Sequence, residues 1–377
     1  MTGTLGTFLR FAWQQVLRRA EVRRSFPALP SYAAIAPALK LLPADAISRV
    51  AVLDLEGSDA GWRSTGLTVA RGQNFTVFAD GVVWLAAALS IGASPVTAVW
   101  IRIGGRVPVR KLTANATSFE AWGEGELELC LKPPGEWLDE SGVFDPAVPR
   151  AGASGTIAVT VALWPGDAAV GLAAFARVTG LKDVVPAAVA APKGWNYHWR
   201  LGEGALYRDA VHDGRPCIHV HTHGDVGILQ YPIDVALDDE VRLEWRWRVD
   251  RLPSDLPENI QPTHDYLSIA VEYENGQDLT YYWSSALPVD TIFKCPLAWW
   301  DKRETHWAVR SGEAELGTWL AESRVLKGDY AKAIGGELPR RIVRVWLIAN
   351  SVFQRRVGEA RFADIAIVSG GQRRQIV

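Results

Sequence analysis

Cys217-Ile218-His219-Val220-His221-Thr222-His223-Gly224-Asp225 alternates apolar or hydroxyl residues with histidines. A β-strand sends successive side chains to opposite faces. Ile218, Val220 and Thr222 therefore share one face, and His219, His221 and His223 the other. The first face reads as core, the second as groove or solvent. The same period of two runs outward from here. In Val241-Arg242-Leu243-Glu244-Trp245-Arg246-Trp247-Arg248-Val249, the residues Leu243, Trp245, Trp247 and Val249 face one way, and Arg242, Glu244, Arg246 and Arg248 the other. Across residues 264–273, Leu267, Ile269, Val271 and Tyr273 form a core face. His264, Tyr266, Ser268, Ala270 and Glu272 lie opposite. Residues 279–284, 306–310, 342–349 and 361–368 read as further strands, so residues 195–377 are expected to form a β-sandwich.

Towards the N-terminus the pattern is similar but weaker. Short strands are expected at residues 49–54, 75–78, 99–103, 127–131 and 156–161, separated by Gly, Asn and Pro turns. They place a first sandwich at residues 46–166. Residues 167–179, Ala-rich and closed by Gly180, read as a short helix, and 167–194 as the linker. Residues 26–45 carry Pro27, Pro30, Pro37 and Pro43 and read as an irregular connector within the leading segment 1–45. Residues 3–20 read as an amphipathic helix: Leu5, Phe8, Leu9, Ala12, Trp13, Val16 and Leu17 follow the helical period. Arg10, Arg18, Arg19, Arg23 and Arg24 make its neighbourhood basic. Such a helix docks on its own domain or a partner subunit, or lies on an anionic membrane surface. The fold class expected is all-β: two jelly-roll sandwiches with an N-terminal amphipathic helix and a short helical linker.

Two resemblances refine this reading. Thr65-Gly66-Leu67-Thr68-Val69, Gly72-Gln73-Asn74-Phe75, Ala79-Asp80-Gly81 and Pro134-Gly135-Glu136-Trp137-Leu138-Asp139 resemble the bacterial galactophilic lectin family across residues 58–165. The resemblance implies a calcium-binding jelly roll, with Asp139 and Glu140 matching the end of its calcium motif. Lys132 stands where that family has its leading acidic ligand, and an ammonium there repels calcium. The second carrier is Leu243 to Val249 with Tyr282-Trp283-Ser284-Ser285, Val309-Arg310-Ser311-Gly312, Gly317-x-Trp319, Asp329-Tyr330 and Phe362-Ala363-Asp364-Ile365. It resembles the bacterial domain of unknown function 3047 over residues 195–369, which implies a concanavalin-type jelly roll and adds nothing about activity. That family commonly has paired acidic residues where this chain reads Thr263-His264-Asp265-Tyr266.

Concanavalin-type folds bind ligands on the concave face of one sheet. If these strands share that sheet, His219, His221, His223, Glu244, Arg246, Arg248, His264, Tyr266 and Glu272 meet on one surface, with His306 and Arg310 joining from another strand. Histidines i and i+2 lie about 6.6 Å apart and can share an ion; i and i+4, about 13 Å apart, cannot. A metal would thus take two of His219, His221 and His223, plus His264 or a carboxylate. A metal-free site would use a neutral histidine as base beside Tyr266 or Arg246, with Glu244 in the catalytic set. His219, His223, Arg248, Glu272, His306 and Arg310 would then bind ligand, around His221 and His264. The third option is a solvated strand face. Cys217 and Cys295 read as inert buried thiols or as nucleophiles.

The chain has 377 residues, with 40 Lys and Arg against 42 Asp and Glu. That balance gives no electrostatic case for nucleic acid. Three cysteines without CxxC spacing point to a reducing compartment, and the N-terminus lacks the pattern of a signal peptide. A cytoplasmic protein is expected, peripheral to the inner membrane if residues 3–20 bind lipid. Expected cofactors are none or a single divalent metal. Expected partners are a small molecule and no nucleic acid, with self-association open. Two functions are weighed: an enzyme doing acid–base chemistry (lyase, isomerase, cyclase or hydrolase) on a small apolar or glycosidic molecule, and a non-catalytic carbohydrate-binding protein.

Overall fold

The computed structural model describes residues 2–59, 61–133, 135, 137–143 and 152–377. Its described chain is mostly β and sandwich-like, and it divides into two compact units. One unit comprises Arg23–Ala188 with Trp199–Gly204. The other comprises Met1–Val22, Val189–His198 and Ala205–Val377. The leading segment is divided between the two at Val22 and Arg23.

The unit built from Arg23–Ala188 and Trp199–Gly204 has two four-stranded sheets. Arg49–Glu56, Thr156–Leu163, Asn74–Gly81 and Ala116–Glu120 form one; Arg63–Val69, Gly125–Leu131, Val99–Ile103 and Arg106–Lys111 form the other. Alternating residues such as Leu55, Val77, Ile101, Leu129 and Val159 fill the space between them. The expected connector contains a helix, Tyr32–Lys40, with Pro37 inside it. Ile35, Ala38, Leu39 and Leu42 recur at helical spacing and pack with Trp164 and Phe175. Burial of that stripe outweighs the helix-breaking effect of the proline. The Ala-rich helix is found at Ala168–Thr179, with Asp167 as N-cap and Gly180 in the left-handed conformation after it. Its Phe175 is in the same cluster.

The C-terminal unit is a larger sandwich. Its six-stranded sheet orders Tyr207–His212, Arg215–His223, Val357–Ser369, Arg242–Arg251 and Leu320–Val325, with Gln372–Gln375 pairing on Val357–Ser369. Its seven-stranded sheet orders Asn196–Tyr197, Val226–Ala236, Arg341–Asn350, Tyr266–Tyr273, Asp278–Ser284, Glu304–Ser311 and Ile292–Lys294. Ile218, Val220, Leu243, Trp245, Trp247 and Val249 from the first sheet meet Leu267, Ile269, Val271, Tyr281, Trp283 and Trp307 from the second. Of these, Ile218, Val220, Leu243, Trp245, Trp247, Val249, Leu267, Ile269 and Val271 are the alternate positions read as core in the sequence. The N-terminal helix, Thr2–Leu17, lies against this unit: Phe11 and Gln15 are buried, and Gln15 Nε2 donates to the Phe353 carbonyl at 3.0 Å.

Candidate metal centre

The candidate residues would meet on one surface only if their strands shared a sheet, and the structure divides them between two. The histidine strand lies in the six-stranded sheet, while His264, Tyr266, Glu272, His306 and Arg310 belong to the seven-stranded sheet or lead into it. With the core of the unit between the two sheets, their outward faces point in opposite directions.

The outward face of the six-stranded sheet is a lattice of ion pairs. His219 accepts from Arg208 Nε at 3.1 Å through Nδ1, and its Nε2 lies 3.2 Å from Glu359. Burial pulls its pKa below the ordinary histidine value. Arg361 bridges Glu359 and Asp250, Arg248 pairs with Asp250, Arg246 with Asp364, and Glu244 with Arg373. His221 and His223 are exposed. Among the described residues this run belongs to no group of three or more donors close enough to share an ion. His219 is engaged by Arg208 and Glu359, and its two neighbours in the run face solvent. Arg310 is likewise engaged, by Glu322 and Glu315, and Glu272 by Arg303 and Arg344.

The outward face of the seven-stranded sheet is different because it is covered. Glu304 and His306 sit two residues apart on one strand and so share this face. The parallel neighbour sets Asp278 beside Glu304 and Thr280 beside His306. The short turn Gln261–Thr263 delivers His264 onto it. The edge strand Ile292–Lys294 delivers Cys295, whose backbone N–H donates to the Glu304 carbonyl at 3.0 Å. His264, Cys295, Glu304 and His306 are all buried, and one donor atom from each lies within 4.8 Å of the others. His264 Nε2 is 3.4 Å from Cys295 Sγ, and His306 Nε2 is 3.4 Å from Glu304 Oε1.

Two of the donors are held from behind. His264 Nδ1–H donates to the Glu258 carbonyl at 2.6 Å, which leaves the Nε2 lone pair facing Cys295. Glu304 Oε1 accepts from Tyr266 Oη at 3.1 Å and Thr280 Oγ1 at 3.2 Å. His306 is held by ring contacts alone. Phe293 stacks on its ring at 5.1 Å, and the rings of Tyr266, Tyr282 and His264 crowd its edges. It is fully enclosed, and neither ring nitrogen has a hydrogen-bond partner. An enclosed imidazole with two orphaned nitrogens is costly.

Burial favours the neutral form of every member. It lowers the pKa of His264 to about 4, and it holds that of His306 well below the ordinary histidine value, with His264 adding to the effect. It raises the Cys295 thiol, aided by the Glu304 carboxylate, and it raises Glu304 and Asp278. Two more buried carboxyls fasten the cover. Glu258 accepts from Ser284 Oγ and from the N–H and Oγ of Ser285 at 2.6–2.7 Å, and Asp265 accepts from the N–H groups of Phe353 and Gln354 at 3.1 and 2.6 Å. Desolvation raises both to about 7.

Residues 194–366 match the family model described as "Protein of unknown function (DUF3047)". The C-terminal half of this chain is a match to DUF3047. No curated protein matches the chain. Among solved structures, the N-terminal domain of EclA, a PllA-like lectin, is 15% identical with a TM-score of 0.24, over 30% of this chain and 95% of that one. The xyloglucanase domain of NopAA from Sinorhizobium fredii, complexed with cellobiose, is 10% identical with a TM-score of 0.26, over 43% and 92%. TmCBM61, complexed with β-1,4-galactotriose, is 8% identical with a TM-score of 0.23, over 46% and 88%. Likenesses this slight carry no argument about what this chain binds. The DUF3047-matching region contains all four donors of the cluster.

Sequence reading named His264, Tyr266 and His306 but missed Glu304 and gave Cys295 no part in a metal site. Glu304-Thr305-His306 was a legible signal, because two donors at i and i+2 share a strand face. Cys295 had none, since it joins through an edge strand 31 residues from His264. A surface cleft of about 530 Å³, lined by Lys193, Trp195, Asp209, Pro216 and Ile376 among others, contains none of the histidines.

Proposed function

We propose that the C-terminal unit is a metal-binding sandwich that holds one divalent ion of the zinc type. His264 Nε2, the Cys295 thiolate, a Glu304 carboxylate oxygen and a ring nitrogen of His306 are its ligands. The observation that carries this reading is His306, enclosed with both nitrogens unpartnered beside three other donors. Zinc bonds of about 2.0–2.3 Å give a tetrahedron with edges of roughly 3.3–3.8 Å. Two donor pairs already stand at 3.4 Å, and none is beyond 4.8 Å. Side-chain shifts of under about 1 Å close the shell. A thiolate with two imidazoles selects zinc-class ions over calcium or magnesium. The contacts from Glu258, Tyr266 and Thr280 are the outer-shell bonds that orient such ligands.

Four protein donors under a closed cover suit a structural site, since a catalytic zinc keeps one position for water or substrate. The ion then ties three pieces together: the turn at His264, the edge at Cys295 and the strand of Glu304 and His306. On this reading His264 and Tyr266 serve the centre rather than acid–base chemistry with His221. The test is elemental analysis of the full chain purified from zinc-replete cells. We expect about one zinc per chain, lost on Cys295→Ala together with His306→Ala. Trace metal in the folded wild type, or equal metal in the double variant, refutes the reading.

A further inference from the structure

The N-terminal helix docks with its less apolar side. Phe11 and Gln15 are buried, Arg18 donates to the Gln354 carbonyl at 3.3 Å, and Gln14 to Asp255 at 3.3 Å. At 100° per residue these positions lie on one side of the helix. Leu5, Phe8, Leu9, Trp13, Val16 and Leu17 sweep roughly 180° of the other side. All six are exposed, five of them by more than half: Leu5 63%, Leu9 58%, Trp13 64%, Val16 57% and Leu17 66%. The apolar stripe that the sequence offered for docking thus points away from the unit that carries the helix. It presents on the order of 600 Å² of apolar surface, at the upper end of what a monomer leaves uncovered.

We infer that this face binds the surface of an anionic lipid bilayer, with the helix lying in the interface plane. Charge decides among the occupants. Arg10 and Arg19 are exposed on the same helical stretch, and the one acidic residue there, Glu21, is paired with Arg18 at 2.7 Å. A second copy meeting this face would bring like charges together, whereas a layer of anionic headgroups meets both the arginines and the apolar stripe. Trp13 at the middle of the stripe suits the headgroup boundary, where an indole places its ring in apolar and its N–H in polar surroundings. Among the described residues no helix is long and apolar enough to cross a membrane. The inference stands apart from the metal centre, and each can fail alone.

The test is co-sedimentation of the full chain with phosphatidylcholine vesicles, with and without phosphatidylglycerol. Wild type is expected to pellet with the anionic vesicles and to be released by high salt. Leu9→Gln with Trp13→Gln, and separately Arg10→Gln with Arg19→Gln, should weaken partitioning about tenfold or more while leaving the melting temperature unchanged. Wild type that stays in the supernatant overturns the inference, as does binding that Leu9→Gln with Trp13→Gln leaves intact. Light scattering gives a third outcome: a wild-type dimer that this pair makes monomeric, without vesicle binding, assigns the face to a second copy and overturns the lipid reading.

Discussion

Replacing His306 with leucine separates a metal ligand from an ordinary core residue by the sign of its effect. In metal-free protein the ring has two enclosed, unpartnered nitrogens. Each such group costs about 1–3 kcal/mol. Leucine is close in volume and removes both. It forfeits the stack on Phe293, worth about 0.5–1.5 kcal/mol, and incurs some shape strain. The variant should therefore be more stable than wild type in chelator, by about 1–4 kcal/mol. One kcal/mol moves the midpoint of a unit this size by about 2–4 °C, so its melting temperature should rise by several degrees. Zinc reverses the picture. Free zinc at about a thousand times its Kd adds roughly 4 kcal/mol to wild type, while the variant, one ligand short, gains little. The assay is thermal unfolding of both proteins in chelator and in zinc, following the transition that responds to the metal. A variant less stable than wild type in chelator would show that the ring is satisfied without metal. A zinc increment of equal size in both proteins would show that His306 is no ligand. Either result refutes the reasoning.

Other outcomes follow from the same contacts. His221→Ala should change stability by less than about 0.5 kcal/mol and leave zinc content unchanged, because the imidazole is exposed; reduced zinc would return the histidine run to the site. Val220→Asp, one residue away but fully buried between the sheets, should unfold the unit through an unpaired buried charge, and a native near-ultraviolet circular dichroism spectrum would contradict the assigned register. Asp265→Ala orphans the N–H groups of Phe353 and Gln354, a loss of about 2–5 kcal/mol; chemical denaturation showing no loss would mean that these groups find other acceptors. In the Arg23–Ala188 unit Lys132 is buried, while Asp139 is exposed and accepts from the Ser141 N–H at 2.8 Å. Pro134 and Glu136 of the quoted motif lie outside the described residues. We expect no micromolar calcium binding there, and calorimetry showing such binding, abolished by Asp139→Ala, would refute it.

Much of the fold was legible because sandwich cores are written in alternation. Leu243, Trp245, Trp247 and Val249, or Leu267, Ile269 and Val271, can share one face only if they are strands, and each is buried as read. Alternation states which residues share a face. It does not state which sheet a strand joins. His221 and His264 looked alike on that score, yet strand order sends their faces in opposite directions. Polarity misled for a related reason. A histidine on an alternating strand looks like a site whether it faces solvent or a cover, and the cover here comes from residues 252–265 and 285–303, which have no periodic pattern. The N-terminal helix shows the converse error. Its apolar stripe was correctly found, but docking used Phe11, Gln15 and Arg18, whose specific bonds to Phe353 and Gln354 leave no trace in a hydrophobic period.

The most direct test of the metal centre is titration of the metal-free chain with cobalt(II), which takes zinc sites and reports its ligands by absorption. The account predicts a thiolate-to-cobalt charge-transfer band that saturates at about one equivalent and is abolished by Cys295→Ser, but not by Cys217→Ser or Cys130→Ser. No band, or a band that survives Cys295→Ser, would contradict it.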